Sequence, residues 1–191
     1  MSRSLLRSST RSSTENRYFG AQQQLLDYSG VLLGALVLLQ IFVRLAAPDE
    51  AVKVFPSACP AGLPQGCSRI AVANAHRDGG HKPFRTFTSI LTLRQTVVRW
   101  AKKRGGVLLE EEDNTGMITL QFRFLSSLMG FPDDLFVFIS CSKEGTGTVE
   151  VQSQLRVGYS DLGVNAARAA KITQFLEDVS NQLPARPCGP E

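Results

Sequence analysis

One pair of adjacent carboxylates and two arginines are the groups in this chain best equipped for chemistry. Asp133 and Asp134 open an apolar run. Neighbouring carboxylates shift each other's pKa, which lets one serve as an acid while the other serves as a base. Arg123 and Arg156 each carry a planar guanidinium that can grip a carboxylate or an anionic ligand through two parallel hydrogen bonds. Ser153, Tyr159, Asp161 and Asn165 cluster around Arg156 in sequence. In a pocket, Arg156 would bind an anionic group, Tyr159 would donate its hydroxyl, and Asp133 or Asp134 would move a proton, as in a hydrolase. The same residues can instead pin strand ends and the turn into a helix. That role requires only rigid hydrogen bonding, and it is the favoured reading. The chain lacks a G-x-S-x-G elbow, an H-E-x-x-H pair and a phosphate loop. His76 and His81 have no convincing Ser or Cys nucleophile, so no catalytic residue is assigned.

The elements that must position these groups follow from periodicity. In residues 149–157, Val149, Val151, Ser153, Leu155 and Val157 alternate with Glu150, Gln152, Gln154 and Arg156, the two-residue period of a half-buried strand. Ile118, Leu120, Phe122 and Phe124 alternate with Thr119, Gln121 and Arg123 in the same way. A strand from Val107 runs into Glu110, Glu111 and Glu112, read as a solvated strand end, and residues 113–116 form a hairpin turn by composition. Residues 135–139 make a continuous apolar strand, and residues 126–131 a connector. Cys141, at the end of that strand, reads as a small buried hydrophobe, and Cys188 shows no obvious partner.

Two helices flank the strands. Thr86 offers an N-cap for a helix through about Arg104, with Phe87, Ile90, Leu91, Val97, Val98 and Ala101 at helical spacing. Its basic last turn complements the negative end of the helix dipole, and a contact with anionic lipid is the second reading of those charges. Gly158 and Gly163 allow backbone turns, and Ser160, Asp161 and Asn165 are cap-forming types for a second helix over residues 164–182. The order helix, four strands, helix predicts an α+β domain: an antiparallel four-stranded sheet backed by two helices.

Ahead of this domain, residues 28–43 contain no charge and are bracketed by Asp27 and Arg44. Leu25, Leu26, Leu45, Ala46 and Ala47 extend the run towards the ~20 apolar residues that a bilayer requires. A single N-terminal transmembrane helix is therefore expected. The net charge of +4 belongs mostly to this end, where five arginines face two acids before residue 48. That distribution argues against nucleic acid as a partner. It fits retention of the N-terminus and translocation of the domain. Residues 1–20, rich in Ser and Arg, read equally as an organellar transit segment or as a basic tail.

Cys59 and Cys67 frame a turn-rich loop, C-P-A-G-L-P-Q-G-C. A disulfide there suits an oxidising compartment. A zinc site is the rival reading, but no C-x-x-C pair exists and the histidines are poorly spaced, so no metal and no cofactor are expected.

Residues 152–165, Q-S-Q-L-R-V-G-Y-S-D-L-G-V-N, resemble the R-S-x-S-R-x-G-x-S-D-L-G-x-N pattern of domain of unknown function 1499, a bacterial and plastid family. The resemblance extends over approximately residues 59–182, where it includes a short Cys-Pro-to-Cys loop and an F-x-D-D segment at Phe131 to Asp134. It supports the Cys59–Cys67 pairing and implies no activity. Two positions depart from the pattern: Gln152 stands for its first Arg and Leu155 for its second Ser, so a two-arginine clamp does not carry over.

The organisation expected is a basic or transit-like segment over 1–24, an anchor over 25–47, a Cys-containing extended loop over 48–85, the α+β domain over 86–183 and a flexible tail over 184–191. The function expected is that of a membrane-tethered extracytoplasmic domain. It would bind a partner protein or lipid on the sheet face that the helices leave free. The alternatives are a hydrolase-like enzyme and an accessory subunit of a membrane complex. The compartment is a periplasmic or similar space, or a plastid or mitochondrion if the N-terminus is a transit segment.

Overall fold

The computed structural model describes residues 9–126 and 130–189. Residues 1–8 of the basic segment, 127–129 of the connector and 190–191 of the tail lie outside them. The chain divides between Phe42 and Val43 into two compact units.

The first unit holds most of α1, Ser9–Ala46, a helix of 38 residues. Its stretch Tyr28–Ala46 has a mean hydropathy of 2.0 over 19 residues, long and apolar enough to cross a membrane. A signal sequence passes the same test.

The second unit is a mixed α/β domain with six strands, not four. β1 (Cys67–Ile70) and β2 (Phe84–Thr86) precede α2 (Ile90–Lys103). β3 (Val107–Asn114), β4 (Met117–Leu125), β5 (Pro132–Cys141) and β6 (Gly147–Leu155) follow as an antiparallel meander. α3 (Val164–Val179) and a 3-10 turn (Ser180–Gln182) complete the chain of elements. The sheet order is β1-β6-β5-β4-β3, and β2 also pairs with β6. β1 and β2 share one edge of β6: Phe84 lies opposite Val149, and Ile70 opposite Val151. At four and three residues they are too short to show a period of their own. They become strands because β6 offers unpaired backbone groups along that edge.

The alternation in β4, β5 and β6 sends Ile118, Leu120, Phe122, Leu135, Val137, Ile139, Val149 and Val151 to one face, where they meet Leu93, Val97 and Trp100 of α2 and Ile172 and Leu176 of α3. Each such buried side chain contributes about 1.5–3 kcal/mol.

Helix α2 starts later than Thr86. The hydroxyl of Ser89 accepts from the Thr92 N–H at 3.2 Å, while Thr86 ends β2 and Phe87 lies exposed before the helix. The helix stops where Gly105 turns left-handed at φ 80°. The acid run 110–112 is not simply solvated, because Arg94 of α2 forms a two-pronged ion pair with Glu111. That hydrogen bond raises the Arg94 pKa, against a smaller effect of burial.

Both cysteine expectations at the C-terminal side need correction. Cys141 is bonded to Cys188, with Cα atoms 5.5 Å apart, and Cys188 is fully buried. The tail's residues 184–188 are held in place. Thr88 donates to the Pro184 carbonyl at 3.3 Å, Arg186 N–H to that of Phe87 at 2.9 Å, and Cys188 N–H to that of Gly145 at 3.0 Å. A sequence separation of 47 residues hid this pairing, since no local spacing announces it. Cys59 and Cys67 form the second disulfide.

Candidate functional site

Successive residues of a strand point to opposite sides of the sheet, so Asp133 and Asp134 cannot share a pocket. Asp133 lies on the face covered by the helices and Asp134 on the other. The candidate residues consequently separate into two clusters, each built around one of these carboxylates. An acid–base pair made from both is not assembled.

On the outer face, Arg156, just past β6, grips Asp134 with both prongs: Nε donates to Oδ2 at 2.9 Å and Nη2 to Oδ1 at 2.7 Å. The side chains of Arg156 and Asp134 are only 9% and 8% exposed. The remaining Arg156 nitrogen, Nη1, donates to Asp49 at 2.5 Å and to the Pro48 carbonyl at 3.1 Å. Burial works against the Arg156 charge, but Asp134 and Asp49 together outweigh it and hold the guanidinium above its ordinary pKa. Arg123 is directly opposite Asp134 in register, yet its Nη1 also goes to Asp49, at 2.5 Å. Asp49 thus bridges two arginines.

Further along the same face, the side-chain amide of Gln121 accepts from the Val52 N–H at 2.7 Å and donates to the Glu50 carbonyl at 2.9 Å and to Asp134 at 3.0 Å. Arg69 of β1 donates to the Pro56 carbonyl at 2.5 Å and to Gln152 at 2.6 Å. Burial lowers the Arg69 pKa, and Glu150 opposes the shift. Phe55 stacks on Phe138 at 5.6 Å, with the Arg69 guanidinium 4.6 Å from its centroid. Gln152 donates to the Ala58 carbonyl at 3.3 Å. Residues 48–58 are therefore a strap laid over a bed of side-chain donors and acceptors. The sheet face expected to be free for a partner is largely occupied by the chain itself.

On the helix face, Asp133 accepts from Arg168 of α3 at 2.8 Å. Its other oxygen is buried without a donor among the described residues. Burial raises the Asp133 pKa, and Arg168 only partly offsets this. Arg168 also donates to Ser153 at 3.0 Å and to Asn165 at 2.5 Å, while Ser153 donates to Asn165 at 2.6 Å. The ring of Phe124 lies beneath the Arg168 guanidinium, 4.8 Å away.

Asp161 caps α3. Its carboxylate accepts from the Gly163 N–H at 3.0 Å and the Asn165 N–H at 2.6 Å. Gly163 is the N-cap residue, with φ 87°. Ser160 and Asn165 do not hold that position, and Asn165 is instead buried against Ser153. Tyr159 stands apart, 66% exposed, with no hydroxyl hydrogen bond among the described residues.

Sequence reasoning missed Arg168, Asp49, Gln121, Gln152 and Arg69 as members of these clusters. Asn165 and Arg168 of α3 are three residues apart, a spacing that puts them on one helix side, and that spacing is the signal by which Arg168 could have been found. Nothing local linked Asp49 to Arg156, 107 residues away. A guanidinium is nonetheless present beside Gln152, supplied by Arg69 of the neighbouring strand.

Residues 58–176, well over half of the chain, match the family described as Protein of unknown function (DUF1499). The chain belongs to DUF1499. No curated protein and no solved structure matches it. The DUF1499 match contains the Cys59–Cys67 disulfide and the Asp133 cluster. It also contains Gln121, Arg123, Asp134 and Arg156 of the outer bed, whereas Asp49, Glu50, Val52 and Phe55 of the strap precede it. The bed thus lies within the matched residues, and the strap up to residue 57 precedes them.

Proposed function

We propose that this DUF1499 chain is a single-pass membrane protein. Its N-terminus is retained, and its disulfide-closed domain faces an oxidising compartment, where it binds a partner protein or an amphiphile beside the bilayer. The observation that carries this reading is the pairing of all four cysteines in a chain with an apolar helix, Tyr28–Ala46, long enough to span. Disulfides persist where thiols are not kept reduced. The strap supports tethering as well. Asp49 is only three residues beyond Ala46, and a chain extends at most ~3.5 Å per residue. Whatever pulls on the helix is therefore felt at the Arg123–Asp49–Arg156 bridge. The compartment is periplasmic, or plastid or mitochondrial if residues 1–20 act as a transit segment.

Protease protection combined with thiol alkylation on intact membranes tests the proposal. The expected result is a protected domain whose four cysteines label only after reduction. A cytosol-accessible domain with free thiols overturns it. A mature protein that has lost residues 1–47 overturns the tether.

A further inference from the structure

An apolar groove with a cationic rim lies where the end of α2, the end of β4 and the start of α3 meet. Trp100, Phe124, Leu125 and Val164 provide its apolar lining, and Leu125 and Val164 remain exposed to solvent. Arg104 and Lys171 provide its charge, and among the described residues neither has a carboxylate within ion-pair distance. Arg168 also borders the groove, but its charge is committed to Asp133 at 2.8 Å. Lys102 and Lys103, both exposed, add charge at the end of α2.

Three features make this a binding site rather than a solvated helix end. The Arg104 guanidinium sits 4.6 Å from the centroid of Trp100 and 6.0 Å from that of Phe175. Stacking occupies the face of the group and leaves its in-plane N–H donors for an anion. The indole N–H of Trp100 is buried and donates to nothing among the described residues, although buried donors are normally satisfied. Finally, Leu162, two residues before the lining residue Val164, is 96% exposed and held in the left-handed region at φ 53°. Aqueous exposure and backbone strain both work against a leucine there, and an apolar phase beside it would offset them.

We propose that this groove binds an anionic phospholipid, its phosphate between Arg104 and Lys171 and its glycerol and upper acyl chains against Leu125, Val164 and Leu162. A soluble anion would use the cations and leave the apolar lining in water. A neutral amphiphile would use the lining and leave the cations unmatched. The choice of a membrane lipid rests on the tethered reading given above.

The chain has a single tryptophan, so Trp100 reports on the site directly. The full-length chain in neutral maltoside micelles is titrated with dihexanoyl phosphatidylglycerol while the indole N–H resonance is followed. The expected result is a saturable shift that dihexanoyl phosphatidylcholine produces about tenfold more weakly or not at all, as does the Arg104→Glu/Lys171→Glu variant. Should the double variant unfold, Lys171→Glu alone, at an exposed position, is expected to weaken binding by about fivefold. The absence of a saturable shift overturns the site. An equal response to phosphatidylcholine, or an unchanged affinity in a folded charge-reversed variant, removes the anionic headgroup. An equal response to glycerol phosphate shows that a free anion, not a lipid, is the ligand. Micelles have no sidedness, so this titration can succeed where the topology experiment fails, and fail where it succeeds.

Discussion

Replacing Arg156 with alanine tests how the strap is held to the sheet. The substitution removes both prongs on Asp134 and the contacts to Asp49 and Pro48. Asp134, 8% exposed at its side chain, is then left with Gln121 as its side-chain donor. A buried charge that loses its partner typically costs about 3–5 kcal/mol. For a domain of this size each kcal/mol lowers the melting temperature by roughly 2–4 °C, so a fall of about 6–20 °C is expected. Asp49→Ala removes a carboxylate that is 40% exposed, for which about 1 kcal/mol is appropriate. The double variant Arg156→Leu/Asp134→Leu leaves no orphaned charge and is expected to recover most of the loss, because an apolar pair often replaces a buried ion pair at little cost. Thermal unfolding of the full chain in neutral detergent, followed by Trp100 emission, measures all three. If Arg156→Ala melts within a degree or two of wild type, or the double variant is as unstable as the single one, the buried fork is not what holds this face.

The two disulfides are expected to differ in worth. Opening Cys141–Cys188, which closes 47 residues, costs about 4 kcal/mol by chain entropy, and opening Cys59–Cys67, which closes 8, costs about 2.5 kcal/mol; denaturant unfolding of the paired Ser variants checks the order. Asp133 has a folded pKa above its ordinary 3.8 because of burial. Its contribution to stability is therefore fully present below pH 3.8 and is lost as pH rises through the folded value. The stability of wild type relative to Asp133→Asn should accordingly shrink as pH climbs above 3.8, and a margin that grows with pH would contradict the raised pKa. Leu162→Asn relieves left-handed strain at φ 53° and is expected to raise stability by about 1 kcal/mol while weakening attachment to anionic vesicles; unfolding and co-flotation measure the two separately.

The period of two assigned residues 118–124 of β4 and 149–155 of β6 to their faces. Residues 28–43, free of charge, marked the apolar helix, and the nine-residue cysteine loop marked one disulfide. These features are local, because alternation, hydropathy and turn chemistry act over a few residues. The sequence also put Arg123 and Arg156 on polar strand faces, and Asp134 just ahead of an apolar strand, without saying what they would meet. Tertiary structure decided that part. It paired Asp133 with Arg168 and drew Asp49 onto Arg156. It recruited β1 and β2 to the edge of β6 and joined Cys141 to Cys188. Each of these outcomes closes a loop of tens of residues. Their partners are selected by which side chains a completed sheet and its helices bring together, and a sequence pattern carries no record of that selection.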